Sequence, residues 1–375
     1  MKKEYELVVE LCKFVRPNED KIKFLLEQKP DMAYVLGLIL INRMGGIAYE
    51  TLQKTGILAK TNREFQSTLR AIYTANVERT IAYKDSLTDL SGVLAGIPIR
   101  YAVLKGAYLC GVYPIGLRTS NDIDILVNKD DIGVISERLL ARCFKQGYVK
   151  NELFVPATRA EIISSRMNRG ETVPFISELG DPKMKYMEID VNFSLDYQVK
   201  DEAGAVRSML RKAEPLIKTG NGCLYTLCQE DFIIHLCAHL YKEATTYPWV
   251  SAGRDLSLYK FSDLYLLYEN NVFASEESIQ SLTNRIRDVG QEKECYYSIR
   301  NFCTLYGIQD KRIETLLSNL SIPDMSFMNR IYRADKKMYY QFHMDYVSWF
   351  FCPNRVDELQ EVSKDATIAY EGTSI

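Results

Sequence analysis

The stretch from Asn121 to Val127 reads NDIDILV, with two carboxylates two residues apart at the head of an apolar run. Aspartate is a poor strand former, so the pair needs a reason. On a strand, residues i and i+2 face the same side, about 6.6 Å apart along the chain. Asp122 and Asp124 therefore point together, while Ile123 and Ile125 face the opposite layer. Two like charges on one face repel, and a bound cation offsets that repulsion. Magnesium takes oxygen ligands from one or two carboxylates together with substrate phosphates. Magnesium, or manganese in its place, is the cofactor this spacing predicts.

A second acidic strand is expected in YMEIDVNFSL, residues 186–195. Glu188 and Asp190 share one face, with Met187, Ile189 and Val191 on the other. If this strand lies beside DIDILV, Asp190 or Glu188 completes a three-carboxylate cluster, which suits metal-assisted phosphoryl or nucleotidyl transfer. Upstream, VLKG (103–106) ends a short strand and opens a short helix. Gly106 lets backbone approach a phosphate, and the helix start offers free N–H groups. Lys105, Arg118 and Ser120 are close enough in sequence to contact phosphates.

Each of these residues also has a plainer reading. Asp-x-Asp alone occurs in surface turns and caps. Lys105 can be an exposed strand-end lysine, Ser120 an ordinary turn residue, and Arg118 a salt-bridge partner that orients Asp122 or Asp124. His235 and His239 share a helix face, but the stretch HLCAH lacks a metalloprotease glutamate. Packing is the expected role of both, with a substrate-cleft role open to His239. Asp263, with Lys242, Arg254 and Lys260, is a weaker candidate for shaping a nucleotide or acceptor pocket.

Three regions are expected to position these groups. Residues 1–93 read as helical, with a buried helix in DMAYVLGLILINRM and a long amphipathic helix ending near Gly96. Residues 94–200 alternate strand and helix, and Asp130 or Asp131 is placed to cap the helix in KDDIGVISERLLARCF. Between Lys145 and Lys185 the pattern is weak, with one strand and a turn expected in ETVPFISELGDPKMK. Helices return from 201 to 375, and the last dozen residues are polar and expected to fray. The predicted class is α+β, a mixed β-sheet core flanked by N-terminal and C-terminal helical regions.

Composition narrows the function. The chain has 375 residues, 47% apolar and 26% charged, with a net charge of −2. That balance disfavours a dedicated binder of long nucleic acid or anionic membranes. No apolar run approaches the roughly 18 residues that span a bilayer, and the N-terminus does not read as a signal peptide. The nine cysteines, without a C-x-x-C pair, read as reduced, mostly buried thiols of a cytoplasmic protein.

The order LKG, short helix, YP-G-R, DIDILV, then a third acidic strand and helical flanks resembles nucleotidyltransferases of the DNA polymerase β superfamily. It is more closely similar to a bacterial family of uncharacterised nucleotidyltransferases that share LKG…G-R…DIDLLV. The resemblance covers most of the chain and is strongest from Val103 to Val127. It extends to QEDFIIHLCAHLYKEA and FSDLYLL. It implies Asp122 and Asp124 as the first two metal ligands, Asp190 as the third and Gly106 as the phosphate-turn glycine. Two departures stand out. Ala107 replaces the usual serine of that turn, and Asn192 and Phe193 stand where the closer family often has histidine and tryptophan. The function implied is magnesium-dependent transfer of a nucleoside monophosphate from a triphosphate to a small-molecule, peptide or protein acceptor. The rivals are an Asp-x-Asp glycosyltransferase using a nucleotide-sugar, and an inactive nucleotide-binding or partner-binding relative.

Overall fold

A computed structural model of the chain describes residues 1–196, 203–220, 222–320 and 322–362. The final segment SKDATIAYEGTSI lies outside the described residues. Two compact units form. One is Met44–His235; the other joins Met1–Arg43 to the described residues from Leu236 onward.

The second of these begins with α1 (Lys3–Leu11), α2 (Glu19–Glu27) and α3 (Met32–Ile41). Asp31 starts α3 by accepting from the backbone N–H groups of Ala33 and Tyr34, which satisfies two donors that a helix start leaves open. The buried helix expected here is only half buried. Val35, Leu38 and Ile39 are enclosed, but Tyr34, Leu40 and Ile41 are exposed.

The unit Met44–His235 holds α4 (Gly45–Lys54) and the long α5 (Arg63–Val93). Asn62 caps α5 through Phe65 N–H, and Gly96 takes a positive φ of 65° just past its end, as glycine does readily. Then follow β1 (Tyr101–Val103), α6 (Gly106–Val112), β2 (Asp122–Val127), α7 (Ile132–Ala141), β3 (Lys145–Lys150), β4 (Leu153–Pro156), α8 (Arg159–Asn168), β5 (Phe175–Asp181), β6 (Met184–Asn192), α9 (Ala203–Arg211), β7 (Glu214–Thr219) and β8 (Gly222–Thr226). The eight strands form one sheet in the order β4-β3-β5-β6-β2-β1-β8-β7. β2 runs parallel to β6, and β1 parallel to β8. The other pairings are antiparallel. The class is α+β, a mixed sheet with flanking helices.

One face of this sheet is core. Ile123, Ile125 and Val127 of β2 and Ile189 and Val191 of β6 pack with Tyr83, Leu87 and Leu90 of α5 and Ile135 and Leu139 of α7. The period of two therefore sends the even-numbered residues of both strands to the other face.

Between Lys145 and Lys185 the chain holds more than the strand and turn expected. β3 and β4 form a hairpin across Asn151 and Glu152, both at positive φ (51° and 61°), the requirement of a two-residue primed turn. Helix α8 starts with a capping box in which Thr158 and Glu161 satisfy each other's backbone N–H groups. Asp131 does precede α7, but its side chain makes no cap; it accepts from Asn128 Nδ2 at 3.1 Å. Residues 214–226, expected among the C-terminal helices, supply β7 and β8.

The boundary between the units falls within α10 (Gln229–Ala244). Beyond it come further helices, including Leu258–Glu269, Glu276–Asp288 and Glu292–Tyr306, and a small antiparallel sheet of 330–333, 338–341 and 360–361. All nine cysteines are free thiols, five of them buried, so the fold draws nothing from disulfides. Among the described residues no helix is long and apolar enough to cross a membrane.

Candidate active site

The site is built on the polar face of two neighbouring parallel strands. Register sets Asp122 beside Glu188 and Asp124 beside Asp190. In-register residues of adjacent strands face the same side, so four carboxylates share one patch. Asp124 is buried, while Asp122, Glu188 and Asp190 are partly accessible. A fifth acid is near. Glu171 bridges to Asn192 at the end of β6, and its charge reaches Asp190.

Electrostatics follow from this crowding. Burial, then the charges of Asp124, Asp122, Glu171 and Glu188, push the Asp190 carboxyl well above its ordinary value. Burial, then Asp124, also raises Asp122, and burial with Asp122 raises Glu188. Asp124 behaves oppositely. Burial works to raise it, but the charge and hydrogen bond of Lys105, helped by His235 and the Asn192 amide, bring it below the ordinary carboxylate value. Lys105 Nζ lies 2.9 Å from Asp124 Oδ1, and Asn192 Nδ2 donates to the same oxygen at 3.2 Å.

The turn before α6 is shaped tightly around this patch. Lys105 has φ 39° and ψ −109°, a region that a side chain with Cβ rarely adopts. At Gly106 an added Cβ would lie 2.4 Å from Ser120 Oγ and 2.6 Å from Ser120 Cβ. Only glycine lets the two segments meet. The Ser120 hydroxyl donates toward both the carbonyl and Oδ1 of Asp122, each at 3.2 Å. Tyr83 OH of α5 donates to the Asp122 carbonyl at 3.0 Å.

The residues singled out from the sequence thus fall into distinct environments. Asp122, Asp124, Asp190, Glu188, Lys105, Gly106 and Ser120 come together. Lys105 is not an exposed strand-end lysine: it is paired to Asp124. Arg118 is buried, and its guanidinium donates to the Thr119 carbonyl. Ala107 packs in the hydrophobic core, so the hydroxyl beside Gly106 is that of Ser120. In the other unit His239 Nε2 and Lys260 Nζ converge on Glu243 Oε2, at 3.2 and 2.6 Å.

Sequence reasoning missed Tyr83, Glu171 and the electrostatic part of His235. Tyr83 lies on a long helix with nothing to distinguish it from core. Glu171 sits in the weakly patterned stretch. His235 was visible through its i, i+4 spacing from His239 on one helix face, a spacing that pointed to packing and not to Asp124.

A profile described as an uncharacterised nucleotidyltransferase family matches residues 28–307. The chain belongs to that family. No curated protein matches it. The match spans the whole acidic face and the Lys105–Gly106 turn, and it makes the chain a nucleotidyltransferase in the general sense of its family.

The donor chemistry fits a hard divalent cation. Every acid on the face offers carboxylate oxygen, and negative charge exceeds the single lysine paired to it. Among the described residues no three His, Cys, Asp or Glu side chains stand gathered as a ready-made ligand set. One of the acids, Asp124, is held instead by Lys105.

Proposed function

We propose that this chain is a magnesium- or manganese-dependent nucleotidyltransferase that moves a nucleoside monophosphate from a nucleoside triphosphate to an acceptor hydroxyl or phosphate. The observation that carries the reading is the parallel β2–β6 register, with Asp122 and Asp124 facing Glu188 and Asp190. Crowded carboxylates at partial exposure are poor architecture and good cation ligands.

In this reading Asp122, Asp124 and Asp190 hold the cation. When bound, the cation stabilises charge on the pyrophosphate leaving group and lowers the pKa of the attacking hydroxyl. Asp190 is preferred to Glu188 as the third acid because it lies in register with Asp124 and feels four acidic neighbours. The backbone of Gly106 binds the triphosphate tail, with Lys105, Arg118 and Ser120 as helpers. The acceptor oxygen bonds to the α-phosphorus, the α–β P–O bond breaks, and pyrophosphate leaves as Asp190 takes the acceptor's proton.

Each of the four triphosphates, labelled at the α-phosphate and in a parallel reaction at the γ-phosphate, and separately a panel of nucleotide-sugars, is incubated with the full chain, magnesium and acceptor pools of sugar phosphates, peptides, proteins and tRNA. The reading requires label in an acceptor and an equal amount of pyrophosphate. Transfer of γ-label, or release of nucleoside diphosphate from a nucleotide-sugar with no turnover of any triphosphate, contradicts it.

A further inference from the structure

Lys105 occupies a position that its backbone disfavours. With φ 39° and ψ −109° it is a natural glycine position, and a side chain there is strained. The neighbouring backbone holds the turn: Ala107 N–H donates to the Leu104 carbonyl at 3.0 Å, and Leu109 N–H to the Lys105 carbonyl at 2.8 Å. The strain places the ammonium 2.9 Å from Asp124 Oδ1, with both side chains largely enclosed. The result is a positive charge set among acids that repel one another.

We propose that Lys105 is a resident counter-cation of this site: its ammonium holds Asp124 in the nucleotide-free protein, a divalent cation displaces it, and the freed ammonium moves to the triphosphate. The proposal rests on the nucleotidyltransferase reading above. It deepens that reading by giving one residue two successive partners. Lys105 and a divalent cation compete for the same carboxylate oxygen, so the cation alone binds weakly. A triphosphate offers the displaced ammonium a second anion, so cation and nucleotide bind better together than separately. The device keeps the acidic face compact without metal and makes occupancy depend on substrate. A lysine suits this because its ammonium is a compact charge on a flexible stem.

The test is Mn²⁺ binding by electron paramagnetic resonance, without nucleotide and then with a non-hydrolysable triphosphate. It compares the natural chain with Lys105→Met and Lys105→Gly. The glycine variant accepts the positive φ and guards against misfolding of the methionine one, and thermal melts confirm that each is folded. Lys84→Met, at an exposed position on α5, controls for net charge. Without nucleotide, both Lys105 variants are expected to bind Mn²⁺ about tenfold more tightly than the natural chain, the value of one charge-assisted hydrogen bond. Lys84→Met should not. With Mn²⁺ saturating, triphosphate affinity should fall about tenfold in the Lys105 variants. Unchanged or weaker Mn²⁺ binding in both Lys105 variants would overturn the exchange and leave Lys105 a fixed anchor. Failure of the nucleotidyltransferase reading looks different: Asp122→Asn with Asp124→Asn would then bind Mn²⁺ as the natural chain does, and both ideas would fall together.

Discussion

Two buried aspartates, one in each unit, are used in opposite ways. Asp255 is fully enclosed and meets Arg355 in a two-pronged pair, Nε to Oδ2 at 2.8 Å and Nη2 to Oδ1 at 2.6 Å. The remaining arginine donor goes to the carbonyls of Phe350 and Cys352. One acid meets one base, and nothing is left over. Asp124 also has a cation, Lys105, but it shares a face with Asp122, Glu188 and Asp190, and the sum is negative. Balanced charge of the first kind is architecture. Charge in excess of its local counter-ions is what a cation-dependent site needs.

That contrast can be broken at several points. The largest effect is expected on chemistry. Asp122→Asn with Asp124→Asn should reduce nucleotidyl transfer by about a thousandfold or more, read by pyrophosphate release, while Asp122→Asn alone, which keeps the Lys105–Asp124 pair and removes a carboxylate raised by its neighbours, should hold or raise the melting temperature. Arg355→Ala should do the reverse. It leaves Asp255 buried without its base, at a cost of about 3–5 kcal/mol, seen in urea denaturation. A loss of stability in Asp122→Asn as large as in Arg355→Ala would erase the distinction.

The turn sits between these extremes. Gly106→Ala drives a Cβ into Ser120 and should cost about 1–3 kcal/mol, measured by thermal melting. It should also weaken triphosphate binding. A smaller gain is expected from Asp190→Asn, on the order of 1 kcal/mol in the presence of a chelator. The sign follows from its raised carboxyl. Such a group contributes stability that is fully present below its unfolded pKa and is lost as pH rises through its folded value. Asparagine does not ionise, so the advantage of Asp190→Asn should widen as pH climbs through the ionisation of Asp190. Saturating magnesium should shrink it. The check is a pair of pH–stability profiles with and without the cation.

The alternation in DIDILV and YMEIDVNFSL made the two acidic strands legible, because a half-polar strand leaves a period of two. Their adjacency was a conjecture there, since pairing is a long-range fact. The β3–β4 hairpin was hidden because Asn151-Glu152 lacks the glycine that usually marks such a turn. The α8 capping box, Thr158 with Glu161, stood in plain view but lacked a strong apolar run behind it. β7 and β8 are short, and the helical signals around them dominated. At the site, the carboxylates and Gly106 could be read from residue type and spacing. The pairing of Lys105 with Asp124 could not, because it depends on an unusual φ that no residue preference foretells.

The most direct measurement of the central claim is calorimetric binding of a non-hydrolysable nucleoside triphosphate with magnesium and with chelator. The natural chain is compared with Asp122→Asn plus Asp124→Asn. The account predicts binding that requires magnesium and is lost in the double variant. Equal binding in chelator, or binding untouched by the loss of both carboxylates, would contradict it.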